Sequence, residues 1–194
     1  MNPSRTQAIL ETLWSMPRED VFAVLDAARN PRIHPMILEC GMRYACLYAG
    51  AIPVELAKVA PYVVRLSPTH AATLELLEAG WGDSWGVFAC TAADVETVRR
   101  HLRRFLRVQR EDGRTMIFRY YDPRVLRVYL PTCTASELAT FFGPLARFVV
   151  EDADASRALA FSQTDGAFGM SKFALDGGDS RAVAVPAPAS AHAV

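Results

Sequence analysis

The chain has 194 residues, is 51% hydrophobic and carries no net charge, with 21 basic residues against 21 acidic ones. That length suits one domain with an appended lobe or tail, and the neutral total argues against bulk attraction to nucleic acid or to a membrane. The sign is unevenly spread, however, because residues 97–131 hold ten Arg against three acids. The N-terminal stretch "MNPSRTQAILETLWSM" has no basic segment followed by an apolar one, so no signal peptide is expected. No run approaches eighteen uninterrupted apolar residues, which argues against a membrane span. Cys40, Cys46, Cys90 and Cys133 show no zinc-ligand spacing and read as reduced core thiols, as in a cytoplasmic protein. Nineteen of the basic residues are Arg, with Lys58 and Lys172 the exceptions; coding bias accounts for this more simply than function does.

In chain order, residues 4–15 read as a helix with Ser4 as a candidate cap and Ile9, Leu10, Leu13 and Trp14 on one face. "DVFAVLDAA", residues 20–28, reads as a buried strand ending at Asp26. A segment broken by Pro31 and Pro35 follows, then a second strand in "RYACLYAG", residues 43–50. "VELAKVAP" reads as a short helix stopped by Pro61, and "YVVRL" as another strand. "SPTHAATLELLEAG" is a predicted helix with Pro68 at its first position and Gly80 past its end. "SWGVFACT", residues 84–91, is strand-like, and Thr91 and Asp94 resemble a capping box for a helix over 92–104.

That helix spaces Val95, Val98, Leu102 and Phe105 for burial and leaves Arg99, Arg100, Arg103 and Arg104 on its other faces. "FLRVQREDGRTMIFRYY" reads as a hairpin turning at Asp112-Gly113. Asp122-Pro123 then opens a helix, with Asp122 as cap and Pro123 at its first position. "TASELATFFGP" is one more helix, closed by Gly143 and Pro144. The last nineteen residues, 176–194, lack aromatics and read as a disordered tail. The expected fold is α/β: a mixed sheet with flanking helices and a late hairpin. Its parts are an N-terminal helix over 1–19, the main domain over 20–150, an extension over 151–175, and the tail.

Few stretches carry chemistry. "GWGDSWG", residues 80–86, has dinucleotide-loop glycines but follows a helix and leads into a strand, the reverse of what a cofactor loop needs. It reads as a structural turn, with Trp81 and Trp85 either core or facing a partner, and no cofactor is expected. "RRHLRRFLRVQR", residues 99–110, holds six Arg but only Phe105 as an aromatic, on the apolar face of the helix. A protein-binding or solvated face fits this better than base stacking does. Arg103 and Arg107, four residues apart, could grip an acidic segment. His101 is a conceivable general base, yet no Ser or Cys stands in the context of an activated nucleophile, and no metal motif is present. Arg119 lies within an apolar strand and needs a carboxylate, for which Asp26 and Asp122 are candidates.

Taken together and in order, "VFAVLDAAR", "CLYAGAIPVELAKVAPYVVRL", "GWGDSWGVF", "HLRRFLRV", "FRYYDPRVLRVYLP" and "FFGPLARF" resemble the effector adaptor-chaperones of the bacterial type VI secretion system, of the Tap or Tec type, over about residues 21–150. The chain departs from that family at Ala27, where Gly is frequent. The resemblance implies a non-enzymatic cytoplasmic protein that holds a toxic effector, through its N-terminal segment, and loads it onto the VgrG spike. On this reading Arg99, Arg103, Arg107, Trp81, Trp85, Tyr121 and Arg124 would meet the partner. Asp26, Arg119, Asp122 and Pro123 would fix the corner between sheet and helix. A nucleic-acid binder using residues 99–110, or an enzyme of unknown type, stays open beside it.

Overall fold

A computed structural model describes residues 3–109, 112–176 and 183–185. The elements run α1 (Pro3–Leu13), β1 (Asp20–Asp26), α2 (Ile33–Glu39), β2 (Tyr44–Cys46), α3 (Val54–Ala57), β3 (Pro61–Arg65), α4 (Ala71–Gly80) and β4 (Gly86–Thr91). There follow α5 (Val95–Arg103), β5 (Arg107–Gln109), β6 (Thr115–Ile117), α6 (Pro123–Tyr129), a 3-10 turn at Leu130–Thr132 and α7 (Ala135–Phe142). The chain then adds β7 (Arg147–Glu151), β8 (Arg157–Thr164), β9 (Ala167–Ala174) and β10 (Val183–Val185).

Eight strands form one sheet in the order β10-β9-β8-β7-β4-β1-β3-β2, and β5 and β6 pair separately. The α/β architecture with helices on both faces and a late hairpin is as the sequence implies. Within the sheet every pairing is antiparallel. Strand–helix alternation normally signals parallel neighbours, and the strands joined by the α2 and α4 crossovers do run the same way. Each such pair, β1 with β2 and β3 with β4, is separated by one strand of opposite direction.

Alternation along the strands divides the interior into two cores. Val21, Ala23 and Leu25 of β1 face α1, α2 and α4, together with Tyr62, Val64, Phe88 and Cys90. Phe22 and Val24 face α5, α6 and α7, with Val63, Val87, Phe148 and Val150. Residues i and i+2 of a strand share a face, so a sheet covered on both sides reads as a continuous apolar run. That is why β1 and β4 are unbroken. Gly86 is needed where β4 enters beside β1, because a Cβ there would lie 2.2 Å from the Val24 carbonyl oxygen.

Several boundaries differ from the sequence expectation. The stretch marked by Pro31 and Pro35 contains α2, whose Pro35 sits in the first turn, where the missing N–H costs no helical hydrogen bond. α4 starts at Ala71 rather than Pro68, because His70 caps it: its Nδ1 accepts from the Ala72 N–H at 3.2 Å. α1 begins at Pro3, which places Ser4 inside the helix. Residues 151–175 continue the main sheet as the β8–β9 hairpin, turning at Asp165-Gly166 with φ of 50° and 78°, the left-handed pair of a tight two-residue turn. Of the tail expected from residue 176, Asp176 pairs with Arg5 at 2.7 Å and Val183–Val185 add to β9; the rest lies outside the described residues.

Candidate functional site

The stretch "FRYYDPR" forms the corner between the β5–β6 ribbon and α6. Asp122 accepts from the Arg124 N–H at 3.0 Å, capping α6, and Pro123 occupies the first helical position. The Arg124 guanidinium closes on the same carboxylate with two bonds, 2.9 and 2.6 Å long. Burial alone would raise the Asp122 carboxyl, but the hydrogen bonds from Arg124 outweigh it and hold the group below the usual carboxylate range. Tyr120 is fully buried and donates its hydroxyl to the Leu102 carbonyl at 2.9 Å, which fastens the corner to the end of α5. Its ring packs edge-on against Phe105, Tyr121 and Phe141.

Asp26 ends β1 on the same face, only 2% exposed. It accepts from the Ala28 N–H at 3.1 Å and forms an ion pair with Arg119, 93 residues later in the chain. The Arg119 side chain is 46% exposed, so one partner is buried and the other half in water. Of the two carboxylates open to Arg119 from sequence, Asp26 takes it and Asp122 pairs with Arg124. Tyr48 and Tyr121 lie in the Asp26 field; burial first, and that field second, push both hydroxyls up.

The basic surface begins on α5, capped by Asp94, whose carboxylate accepts from the Thr97 N–H at 2.9 Å. Thr91 instead accepts from the Ala93 N–H and donates to the Pro144 carbonyl. Val98 and Leu102 are buried, which turns the arginines outward. Arg99 is engaged: its Nε donates to the Cys46 carbonyl at 3.0 Å and its Nη1 reaches Glu96 at 3.3 Å. Arg100, Arg103, Arg104, Arg107 and Arg114 form no ion pair among the described residues. α5 ends at Arg103 and Arg107 opens β5, so these two lie on consecutive elements rather than one helix. Arg99 and Arg103 act on the Cys46 thiol, and Arg107 and Arg119 on the Tyr48 hydroxyl. Four guanidiniums therefore follow the Cys46–Tyr48 segment beside the open edge of the sheet.

Trp81, Trp85 and Tyr121 are not surface anchors. They are 8%, 3% and 3% exposed and belong to the two cores. The Trp81 Nε1 donates to the Ala155 carbonyl at 2.9 Å. The turn between these tryptophans instead holds a carboxylate of the protein itself: Glu151 accepts from the Gly82 N–H at 2.6 Å, the Ser84 N–H at 3.0 Å and the Ser84 hydroxyl at 2.9 Å. At the other end of the same strand Arg147 donates to the Thr12 and Leu13 carbonyls, at 3.1 and 2.6 Å, and to Glu19 at 2.9 Å. β7 thus fastens the end of α1 with one buried charge and the turn after α4 with another. Sequence reasoning missed both residues. The available signal was a charge at each end of "RFVVE", a run whose middle is wholly apolar.

His101 is buried and shares a 2.8 Å hydrogen bond between Nε2 and the Phe141 carbonyl, which requires the proton on Nε2. Burial lowers its affinity for a second proton. Gly143, at φ 50°, is required beside it, since a Cβ there would stand 2.3 Å from the imidazole Cε1. Burial pushes the Cys46, Cys90 and Cys133 thiols up, Cys90 to about 12, so they stay protonated near neutral pH and are poor nucleophiles. Among the described residues no group of three or more His, Cys, Asp or Glu is placed to hold a metal ion, and no helix is long and apolar enough to cross a membrane.

Residues 21–140, well over half of the chain, match the family described as a domain of unknown function (DUF4123). The matched span runs from β1 into α7, taking in the Asp26–Arg119 pair, the corner and the basic surface. No curated protein and no solved structure matches the chain.

Proposed function

The chain belongs to the DUF4123 family, and on that premise we propose that it is a non-enzymatic adaptor that binds another polypeptide. The finer reading follows the resemblance of its motifs to type VI secretion adaptor-chaperones. In the cytoplasm it holds a toxic effector by the effector's N-terminal segment, keeps it competent for export and passes it to the VgrG spike. No cofactor or metal enters this mechanism.

One observation supports the reading most: Arg103 and Arg107 follow the Cys46–Tyr48 segment beside the paired Arg99 and Arg119, and among the described residues neither has a carboxylate of its own. Like charges held together in this way repel, and an acidic partner relieves the repulsion while gaining charge-assisted hydrogen bonds. Arg124, half-exposed, is already held by Asp122 and contributes mainly to the frame. Apolar anchors would supply most of the affinity, and the arginines orientation and encounter rate. A cargo that must later be released suits an interface of moderate size.

The experiment reverses the charge. Arg103→Glu with Arg107→Glu should weaken capture of the N-terminal portion of a toxin encoded by an adjacent gene about tenfold, mostly through slower association at low salt. Melting should change little, because neither side chain carries an ion pair among the described residues. Unchanged capture would remove the arginine surface from the proposed function. Steeply salt-dependent binding of DNA or RNA that disappears in the same variant would support the nucleic-acid reading instead.

A further inference from the structure

The β5–β6 ribbon stands apart from the main sheet, and all six of its strand residues are exposed. A two-stranded ribbon with three residues per strand is marginal alone in water, and ribbons are normally steadied by a third strand or by a packed helix. Here the anchor is at the root. The Phe118 N–H donates to the Leu106 carbonyl at 3.0 Å, and Leu106 is buried in the core shared with α5 and α6.

Beyond the root the two faces differ in chemistry. Val108 lies opposite Met116, so both side chains emerge on the face that continues from Leu106 and Phe118. They are 40% and 47% exposed, an apolar extension of the core into solvent. Arg107 lies opposite Ile117, and Gln109 opposite Thr115, on the other face. Among the described residues Arg107 has no carboxylate, and nor does Arg114 just before β6. Both outer edges of the ribbon lack a strand partner among the described residues.

We propose that this ribbon takes a third strand from the partner polypeptide, an extended segment that alternates apolar and acidic side chains. An added strand points successive side chains to opposite faces. At the β5 edge one set would meet Val108, with Met116 one strand further on the same face, and the other would meet Arg107, while main-chain hydrogen bonds fill that edge. A helix could cover only one of these faces, whereas the alternation matches both. The inference rests on the adaptor reading, and it names the mode of docking and the pattern the cargo segment must carry.

The test uses the full chain and a blocked, fluorescein-labelled nonapeptide of alternating Val and Glu. Anisotropy should show saturable binding that weakens with added salt. A Val-Lys version should not bind. N-methylation of every second peptide amide on the bonding edge should weaken binding at least tenfold, as should Val108→Thr with Met116→Thr, a pair that keeps strand propensity while removing apolar contact. The proposal is overturned if the Glu peptide does not bind or if the Glu and Lys peptides bind alike. It is also overturned if N-methylation has no effect, which would mean side-chain docking without an added strand, or if the threonine variant keeps full affinity. Capture of the toxin's N-terminal portion is measured in parallel. Capture that survives intact in the threonine variant overturns the ribbon while leaving the adaptor reading in place. Failure of the wild-type chain to capture the toxin, with peptide binding intact, overturns the adaptor reading alone.

Discussion

Arg147→Met is expected to destabilise the fold by about 4 kcal/mol and lower Tm by about 10 °C. The Arg147 side chain is 9% exposed and its partner Glu19 17%. Its guanidinium also satisfies the carbonyls of Thr12 and Leu13, at the end of α1 where the helix dipole is negative. Methionine fills similar volume, so packing changes little; what is lost is a donor to three acceptors, of which the Thr12 carbonyl keeps the Ser15 hydroxyl. The damage should be local as well as global. Amides of α1 should exchange with solvent sooner than those of β1 and β4, because Arg147 ties the helix end to the sheet. Glu19→Gln keeps both carbonyl bonds and should cost clearly less. Urea titration of the three proteins measures this order, and a loss below about 1 kcal/mol for Arg147→Met would mean that water replaces the guanidinium.

Arg119→Met should cost about 2 kcal/mol, less than a wholly buried pair because half of Arg119 is already in water. The cost arises from Asp26, left 2% exposed with only the Ala28 N–H to accept from among the described residues. In an Asp26→Asn background the same substitution should cost under about 0.5 kcal/mol, so the cycle isolates the pair. A deficit that persists unchanged in the Asp26→Asn background would separate Arg119 from Asp26.

What was legible in the sequence was local chemistry. Asp122-Pro123 as cap and first turn and Asp112-Gly113 as a hairpin turn each depend on residues a few positions apart. The Asp165-Gly166 turn carried the same signal as Asp112-Gly113, yet β7, β8 and β9 were not read; β8 and β9 mix small, polar and aromatic residues and do not stand out by hydropathy. Arg119 could be seen to need a carboxylate because it sits among apolar residues. Which carboxylate it meets is decided by topology, since β1 must end beside the corner. The same limit hides Arg147 and Glu151, whose partners lie 135 and 69 residues away for the Thr12 and Gly82 contacts. The tryptophans show the converse problem. A bulky ring in a glycine-rich turn reads either as core or as facing a partner, while here the turn packs on the sheet and buries both.

The adaptor account is tested most directly by purifying the tagged chain after co-expression with the products of its neighbouring genes. The account predicts that a large toxin co-purifies through its N-terminal portion in a defined ratio, and that a spike protein joins the complex or displaces the chain from it. If the chain purifies alone, with neither a toxin nor a spike protein bound at any salt concentration that preserves its fold, the account is contradicted.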